Sequence, residues 1–271
     1  MPKLRVNGAE LYYEEQGAGQ ETVVFAHGLI WSCRMFDKQV AVLKSRYRCV
    51  AFDFRGQGSS EVTKEGYDMD TLSEDAAGLI EALNCAPCHF VGLSMGGFVG
   101  IRLAARRPDL IRSLVLLDTS ADPEPTENLA MYRQLTFVTR WLGPRLVVGR
   151  VMQIMFGQKF LKDPARAEER DEWRRRMAGN HRVGISRAAM GVARRKGVQD
   201  ELRMIHAPTL IVVGDQDVAL PPENSERLHK GVSGSKLVII PGAGHTSTVE
   251  EPQAVNSTLL TFLNEVGPSS G

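Results

Sequence analysis

The sequence has little excess charge and no long hydrophobic run. Its 271 residues carry 33 Lys and Arg against 32 Asp and Glu, a net charge of +1, which gives no electrostatic reason to expect a nucleic-acid partner. The longest apolar runs, such as VVFA and SLVLL, are far below the ~18 residues that a membrane span requires. The amino-terminal stretch also lacks the apolar core of a secretory signal. We therefore predict a cytoplasmic protein without a nucleic-acid or membrane partner.

The sequence is also poor in cysteine and in metal-binding patterns. Four cysteines without a secretory signal predict reduced thiols rather than a disulfide framework. The stretch Cys85-Ala86-Pro87-Cys88-His89 does match C-x-x-C-H, the pattern of covalent haem attachment. That chemistry belongs to exported proteins, and the following residues have the pattern of a strand, so we interpret the stretch as a turn before a strand. The histidines are dispersed, without H-x-H or H-E-x-x-H spacing, and neither a metal nor another cofactor is predicted.

Strand and helix patterns alternate at both ends of the chain and lapse in between. Apolar runs such as VVFA and SLVLL are typical of strands buried on both faces, and helical patterns follow them. This βαβα order predicts a mainly parallel sheet flanked by helices. Residues 119–207 contain no convincing strand and instead predict three or four helices that form a cap. We therefore predict a core of residues 1–118 and 208–266, a helical cap at 119–207 and a flexible tail at 267–271.

The stretch Gly92-Leu93-Ser94-Met95-Gly96 fits G-x-S-x-G, the sharp strand-to-helix turn that presents a nucleophilic serine. The motif is informative only where a strand precedes it and a helix follows. HFVGL has the pattern of a strand, and MGGFVGIRLAARR that of a helix, so both conditions hold. The start of that helix would also offer backbone N–H groups to a developing oxyanion. Ser94 is therefore the candidate nucleophile, with the N–H of Met95 as one oxyanion donor.

A serine nucleophile needs a base and an orienting acid, which in this architecture follow it in the order acid, then histidine. His245 lies in the Gly-rich loop PGAGHT after the last predicted strand, where it has no core-packing role. Asp215 and Asp217 both follow the strand LIVVG, and we choose Asp217 because it lies further along the loop. Asp118, at the end of SLVLLD, is the next candidate.

The second oxyanion donor should come from the loop HGLIW after the strand VVFA. There Gly28 allows the backbone to turn closely, and Leu29 would present its N–H to the site. His27 could act as a base, but we assign it the role of orienting this loop through hydrogen bonds.

Together these stretches resemble the α/β-hydrolase superfamily, over essentially the whole chain. The matching segments, in the order usual for the family, are HGLIW, DFRGQGSS, GLSMGG, VGDQD and PGAGHTSTVEEP. The resemblance implies an eight-stranded α/β-hydrolase fold, a triad of Ser94, Asp217 and His245, and oxyanion donors at Leu29 and Met95. Within the superfamily it looks like the compact esterases, perhydrolases, enol-lactone hydrolases and N-acyl homoserine lactone hydrolases. Haloalkane dehalogenases and epoxide hydrolases of this fold carry aspartate at the position of Ser94, which argues against both.

Three functions remain open at this point. The first is a serine hydrolase of small carboxylic esters and lactones, including N-acyl homoserine lactones, with Trp31, Phe137, Trp141 and Met155 lining an apolar substrate pocket. The second is a carbon–carbon bond hydrolase or a carboxylate-recognising enol-lactonase, which would need an arginine inside the pocket. Arg174–Arg176 and Arg194–Lys196 are the candidates, although charged runs of this kind usually form solvated helix faces. The third is a non-catalytic ligand receptor of the same fold. The sequence gives no oligomeric state.

Overall fold

A computed structural model describes residues 2–267, which contain one eight-stranded sheet with the spatial order β1-β2-β4-β3-β5-β6-β7-β8. Strands β1 and β2 pair antiparallel, and β2 pairs antiparallel with β4, whereas β3 to β8 run parallel to one another. The predicted mainly parallel, eight-stranded α/β fold is confirmed. The strands are β1 Lys3–Val6, β2 Ala9–Gln16, β3 Thr22–Ala26, β4 Arg48–Phe52, β5 Cys88–Leu93, β6 Ile111–Leu117, β7 Thr209–Gly214 and β8 Lys236–Ile240.

Helices cover both faces of this sheet and fill the interval between β6 and β7. They are α1 Asp37–Leu43, α2 Met69–Ala82, α3 Met95–Arg106, α4 Leu129–Leu142, α5 Val148–Met155, α6 Gln158–Lys162, α7 Ala167–Ala178, α8 Arg182–Ala193, α9 Pro222–Gly231, α10 Ser247–Glu250 and α11 Pro252–Val266. Between β6 and β7 the structure has five helices, α4 to α8, rather than three or four, and no strand. None of the helices within residues 2–267 is long and apolar enough to cross a bilayer.

The central strands are apolar throughout because both of their faces are covered. Successive side chains of a strand point to opposite sides of the sheet, so Val24 packs with α2 and α3 while its neighbour Phe25 packs with α1 and α11. Phe90 and Val91 of β5 divide between the two sides in the same way. This explains why these strands have continuous apolar runs in place of alternation.

Two local features show how the sequence fixes the ends of elements. Helix α2 begins at Met69, because the side chain of Asp68 accepts the N–H of Thr71 and so caps the helix. The Cys85–His89 stretch leads into β5, and all four cysteines are buried free thiols. The ring Nδ1 of His89 lies 2.7 Å from Ser113 Oγ. This stretch is therefore part of the core.

Parallel strands place their carboxyl ends along one edge of the sheet, and in open α/β sheets ligands bind at that edge. The turn after β5, the loops after β3, β7 and β8, and the first residues after β6 all emerge there. Every residue predicted to take part in catalysis belongs to one of these segments. The fold thus brings together side chains that are far apart in the sequence.

Candidate active site

Ser94 lies on the turn that joins β5 to α3, in a backbone conformation that few residues other than glycine adopt. Its φ is 52° and its ψ is −111°, and this strain is characteristic of a nucleophile held at a tight turn. The flanking glycines make the turn possible. A Cβ on Gly96 would lie 2.0 Å from the carbonyl oxygen of Ala26, and one on Gly92 would lie 2.3 Å from that of Gly96. The motif therefore requires glycine at both positions.

The structure brings Ser94, His245 and Asp217 into one hydrogen-bonded chain. His245 Nε2 lies 2.9 Å from Ser94 Oγ, and His245 Nδ1 lies 2.8 Å from Asp217 Oδ2. The other carboxylate oxygen of Asp217 accepts the N–H groups of Ala219 and Leu220. A carboxylate accepts only, so Nδ1 carries a proton and Nε2 is left to accept the serine hydroxyl. This is the arrangement in which a histidine can act as a base toward serine.

Electrostatics at His245 favour the protonated imidazole. Burial by itself lowers the pKa of His245, but the adjacent Asp217 carboxylate outweighs it, with smaller contributions from Asp118 and Glu250, so the pKa is raised above its ordinary value. A raised pKa strengthens the histidine as a proton acceptor when serine attacks.

The two other candidate acids form hydrogen bonds with the surrounding loops. Asp118 accepts the N–H of Gly214 and the hydroxyl of Ser247, at 2.9 and 2.5 Å. Burial, followed by repulsion from Asp217, raises the pKa of Asp118 to about 8, so its carboxyl group is mainly protonated at neutral pH. Asp215 lies at the surface and accepts the N–H of Gly242. Of the three aspartates, only Asp217 is hydrogen-bonded to His245.

The loop after β3 approaches Ser94 closely. A Cβ on Gly28 would lie 3.4 Å from that of Ser94, so the backbone of this loop runs against the serine. His27 donates from Nδ1 to the carbonyl of Gly28 and accepts the N–H of Phe54 on Nε2, which fixes the loop. Met95 is the first residue of α3, so its N–H has no partner within the helix. Within residues 2–267, no protein acceptor takes the N–H of Leu29 or Met95, and both are available to an oxyanion.

Two adjacent cavities lie at the serine and beside it. A cavity of about 270 Å³ contains Ser94 and His245. An apolar cavity of about 120 Å³ lies beneath α4, α5 and α8. Trp31 lines the first and Met155 lines both, and their contact with substrate stays a prediction. Both cavities share the side chains Leu29, Met131, Tyr132, Ile154 and Met155.

Phe137 and Trp141, which the sequence analysis placed in the substrate pocket, line neither of these two cavities. Both side chains lie on the outer side of α4, where they are 63% and 65% exposed. The opposite side of the same helix, with Met131, Leu135 and Thr139, lines the apolar cavity. Hydrophobic spacing identifies the faces of a helix but does not say which one is buried. Because α4 is apolar on both sides, the sequence could not distinguish them.

Sequence reasoning missed Glu250. Its buried carboxylate accepts three backbone N–H groups: Oε2 those of Gly157 and Gly244, at 2.8 and 3.0 Å, and Oε1 that of Thr246 at 3.1 Å. Burial raises its pKa to about 7. Gly244 and Thr246 flank His245, and Gly157 joins α5 to α6. Glu250 thus connects the histidine loop to the inserted helices. The only sequence signal was an acidic residue shortly after the histidine.

Arg195 also differs from its predicted position on a solvated surface. It is buried, pairs with Glu124, donates to the carbonyl of Asp122 at 3.0 Å and lies over the ring of Phe98. Glu124 and Arg195 both line the cavity that contains Ser94. Arg174 to Arg176, by contrast, lie on the exposed side of α7 as expected. Residues 2–267 hold no group of three or more His, Cys, Asp and Glu side chains arranged as a metal site.

A mainly parallel eight-stranded sheet, with a serine on a strained turn after β5 and a histidine after β8, defines an α/β protein of the hydrolase type. A family model described as the alpha/beta hydrolase fold matches residues 21–252. The chain therefore belongs to the α/β-hydrolase family of enzymes.

Known proteins similar to this chain match it over nearly its whole length. The carbamate hydrolase RutD of Variovorax paradoxus, whose activity is described as putative, is 30% identical and covers 94% of this chain and 97% of its own. An esterase from Thermogutta terrifontis has a TM-score of 0.92 at 28% identity, covering 99% of this chain and 100% of its own. The enol-lactonase of Burkholderia xenovorans has a TM-score of 0.90 at 27% identity, covering 97% and 100%.

Proposed function

We propose that this protein is a serine hydrolase that cleaves carboxylic esters and lactones through an acyl-enzyme on Ser94. The observation that carries the proposal is the hydrogen-bonded chain from Ser94 through His245 to Asp217. The similarity to an esterase and an enol-lactonase supports the same class of reaction. The substrate is a small molecule, no cofactor takes part, and we propose a cytoplasmic site of action.

The geometry supports a two-stage reaction. Ser94 Oγ attacks the substrate carbonyl while its proton passes to His245 Nε2, and Asp217 stabilises the imidazolium that forms. The carbonyl oxygen, now negatively charged, accepts the N–H groups of Leu29 and Met95. His245 then donates its proton to the departing alkoxide oxygen, which leaves an acyl group on Ser94. Water attacks this ester with His245 again as the base, releasing the acid and free serine.

The two cavities suggest how the substrate is divided. We propose that residues 119–207 form a cap over a core of residues 1–118 and 208–266, and that the apolar cavity beneath α4 and α5 holds the acyl chain. The cavity around Ser94 is more polar, with Glu124, Asn128 and Arg195 in its walls, and holds the alcohol or lactone ring. This division suits an N-acyl homoserine lactone, which has an apolar chain and a small polar ring.

One observation bears on a carboxylate-recognising enol-lactonase. Arg195 lines the cavity of Ser94, as that function would require. Its guanidinium is already paired with Glu124, however, so the wall carries no net positive charge from this pair. A substrate carboxylate would have to displace Glu124, which favours the neutral ester or lactone. The complete hydrogen-bonded triad likewise favours an enzyme over a non-catalytic receptor.

The test uses the purified protein, Ser94→Ala, and Ser120→Ala as a matched control, since Ser120 is a buried serine just after β6. Each is given p-nitrophenyl esters of increasing acyl length and an acyl-homoserine lactone, with acid release followed by pH-stat. We expect turnover by the parent protein, a loss of at least about 10⁴-fold in Ser94→Ala, and little change in Ser120→Ala. No turnover of either substrate class would contradict the function. Labelling of a different serine by a phosphonate inhibitor would contradict the role of Ser94.

A further inference from the structure

The inserted helices carry the most exposed group of large apolar side chains in the described chain. Helix α4 and the short helical turn after it hold four such residues, each between 63% and 67% exposed: Phe137, Trp141, Leu142 and Leu146. Soluble proteins scatter single apolar side chains over their surfaces, but a contiguous group usually marks a contact surface. A helix that already buries one apolar side, as α4 does against the cavity, ordinarily has a polar opposite side.

The chain segment that carries this group has only positive charges. Residues 129–157 contain no Asp or Glu, and they carry the four arginines Arg133, Arg140, Arg145 and Arg150. None of these guanidinium groups has an ion-pair partner within residues 2–267. We give the name outer cap face to the side of α4 that holds Arg133, Phe137, Arg140 and Trp141, together with the exposed residues that follow it in the chain, Leu142, Arg145, Leu146 and Arg150.

A depression beside the outer cap face provides further positive groups. It has a volume of about 650 Å³, and Phe137 and Trp141 form part of its wall together with Arg133, Arg140, Arg187 and Arg194. Glu65 and Asp68 are its acidic residues, and the side chain of Asp68 is already engaged by Thr71. Guanidinium groups match the geometry of phosphate oxygens, so the depression is suited to a phosphate-bearing head group.

We propose that the outer cap face docks on bilayer surfaces that contain anionic phospholipids. A helix with Trp, Phe and Leu among arginines, and without acidic residues, has the composition of segments that lie in the interface of a membrane. Trp141 and Phe137 would enter the head-group region while the arginines contact lipid phosphates. The lack of a membrane-spanning helix does not bear on this peripheral contact.

Charge argues against a second copy of the chain as the occupant. In a two-fold symmetric dimer the same surface meets itself, which would place four unpaired arginines against four more. An acidic protein would satisfy the charges. The four apolar side chains, however, are each more than 60% exposed and Leu142 and Leu146 lie outside the lining of the depression, which suits insertion among lipids better than recognition of a particular side chain.

The test measures binding of the Ser94→Ala protein, so that hydrolysis plays no part, to vesicles of phosphatidylcholine alone or with about 30% phosphatidylglycerol. Trp31 and Trp173 are buried, so the emission of Trp141 reports on the outer cap face. We expect co-sedimentation and a blue shift of the emission with the anionic vesicles alone, both weakened by salt. Brominated phospholipids should quench this emission, and the quenching needs no variant that could misfold.

Two matched pairs of substitutions locate the contact. Arg133→Gln with Arg140→Gln should weaken vesicle binding about 25-fold, at roughly fivefold for each arginine. Arg174→Gln with Arg175→Gln removes the same charge from the exposed side of α7 and should change binding by no more than about twofold. Phe137→Ser with Trp141→Ser should abolish binding, with near-ultraviolet circular dichroism as the check on folding.

Four results would overturn the proposal. The first is that the protein does not bind anionic vesicles, and the second is that both arginine pairs lose binding equally. The third is that the emission of Trp141 shifts to the blue with soluble polyglutamate but not with vesicles. The fourth is that sedimentation equilibrium shows a dimer that Trp141→Ser dissociates. The third would indicate an acidic protein partner and the fourth a second copy of the chain.

Discussion

The edge of the sheet that carries the candidate active site and the outer cap face differ in how completely their polar groups are satisfied. At the edge, Ser94, His245, Asp217 and Glu250 are buried, and each is hydrogen-bonded to a neighbour in the site. On the outer cap face, arginines have no ionic partner and large apolar side chains face solvent. The polar groups of the first region are satisfied within the chain, whereas those of the second are left to solvent or to an external partner.

This contrast indicates which residues tolerate substitution and which do not. A buried polar group without a partner is costly, so a change at the edge disturbs several hydrogen bonds at once. The inserted helices are constrained mainly on their inner side, where they line the cavities. We therefore expect substitutions at the edge to reduce activity most, those in the cavity wall to reduce it less, and those on the outer cap face to reduce it least.

The largest effect after removal of the nucleophile is expected at Asp217. Asp217→Asn replaces the acceptor that fixes the protonated Nδ1 of His245, so the imidazole can adopt the unproductive tautomer. A loss of about 10⁴-fold in kcat is expected, measured with a p-nitrophenyl ester. Asp118→Asn is the matched control. The carboxyl of Asp118 is mainly protonated at neutral pH and resembles an amide, so this change should cost less than about tenfold. A comparable loss in Asp118→Asn would reassign the acid.

The pH profile offers an independent measurement of the same pair. His245 must be neutral to accept the serine proton, and its pKa is raised, so kcat/KM should fall on the acid side from a pKa above the ordinary value of about 6.5. Below that pKa each further pH unit should cost about tenfold. Asp217→Asn removes the negative charge that raises the pKa, so the residual activity should have its acid limb at lower pH. An unmoved limb would argue that His245 is not the titrating base.

The next largest loss of activity is expected at Glu250, which acts as a positioning residue. Glu250→Gln replaces one acceptor oxygen with an NH₂ group that faces backbone donors, so either the loop of His245 or Gly157 must shift. Because a small misplacement of a catalytic group can cost about 10²-fold, we expect kcat to fall about 10- to 100-fold while KM changes little.

The neighbouring Glu251→Gln serves as the control for Glu250→Gln, since Glu251 pairs with Lys159 at the surface and should tolerate the change. Equal effects of the two substitutions, or a change confined to thermal stability, would contradict the positioning role of Glu250.

The sequence predicted the edge much better than the inserted helices, for a physical reason. Ser94 lies on a turn that only a specific glycine pattern permits, and His245 and Asp217 follow strands whose apolar runs are unambiguous. Glu250 was missed because its function depends on which backbone groups the fold brings to it. Phe137 and Trp141 were misplaced because a stripe of apolar residues does not reveal the side on which a cavity lies. Arg195 was read as exposed because its partner Glu124 is 71 residues away.

The cavity wall should control acyl-chain length. Val151 lies on the side of α5 that lines the apolar cavity, so Val151→Phe would fill part of that space. We expect kcat/KM to fall about tenfold for an octanoyl ester and to stay within about twofold for an acetyl ester. Gln153→Phe places the same side chain on the exposed side of α5 and should affect neither. Equal losses for both acyl lengths would mean that the chain binds elsewhere.

The smallest effect on catalysis is expected on the outer cap face, and α4 allows the two sides of a single helix to be compared. Phe137→Ser with Trp141→Ser changes only exposed side chains, so kcat/KM for a soluble acetyl or octanoyl ester should stay within about twofold and stability within about 0.5 kcal/mol. Leu135→Ser, on the inner side, places a hydroxyl in the apolar cavity and should lower kcat/KM for the octanoyl ester about tenfold or more. Thermal unfolding of both proteins would separate misfolding from altered binding. If the outer pair impaired hydrolysis of a soluble ester as strongly as the inner substitution, these aromatic side chains would have to reach the substrate after all, by a rearrangement of α4.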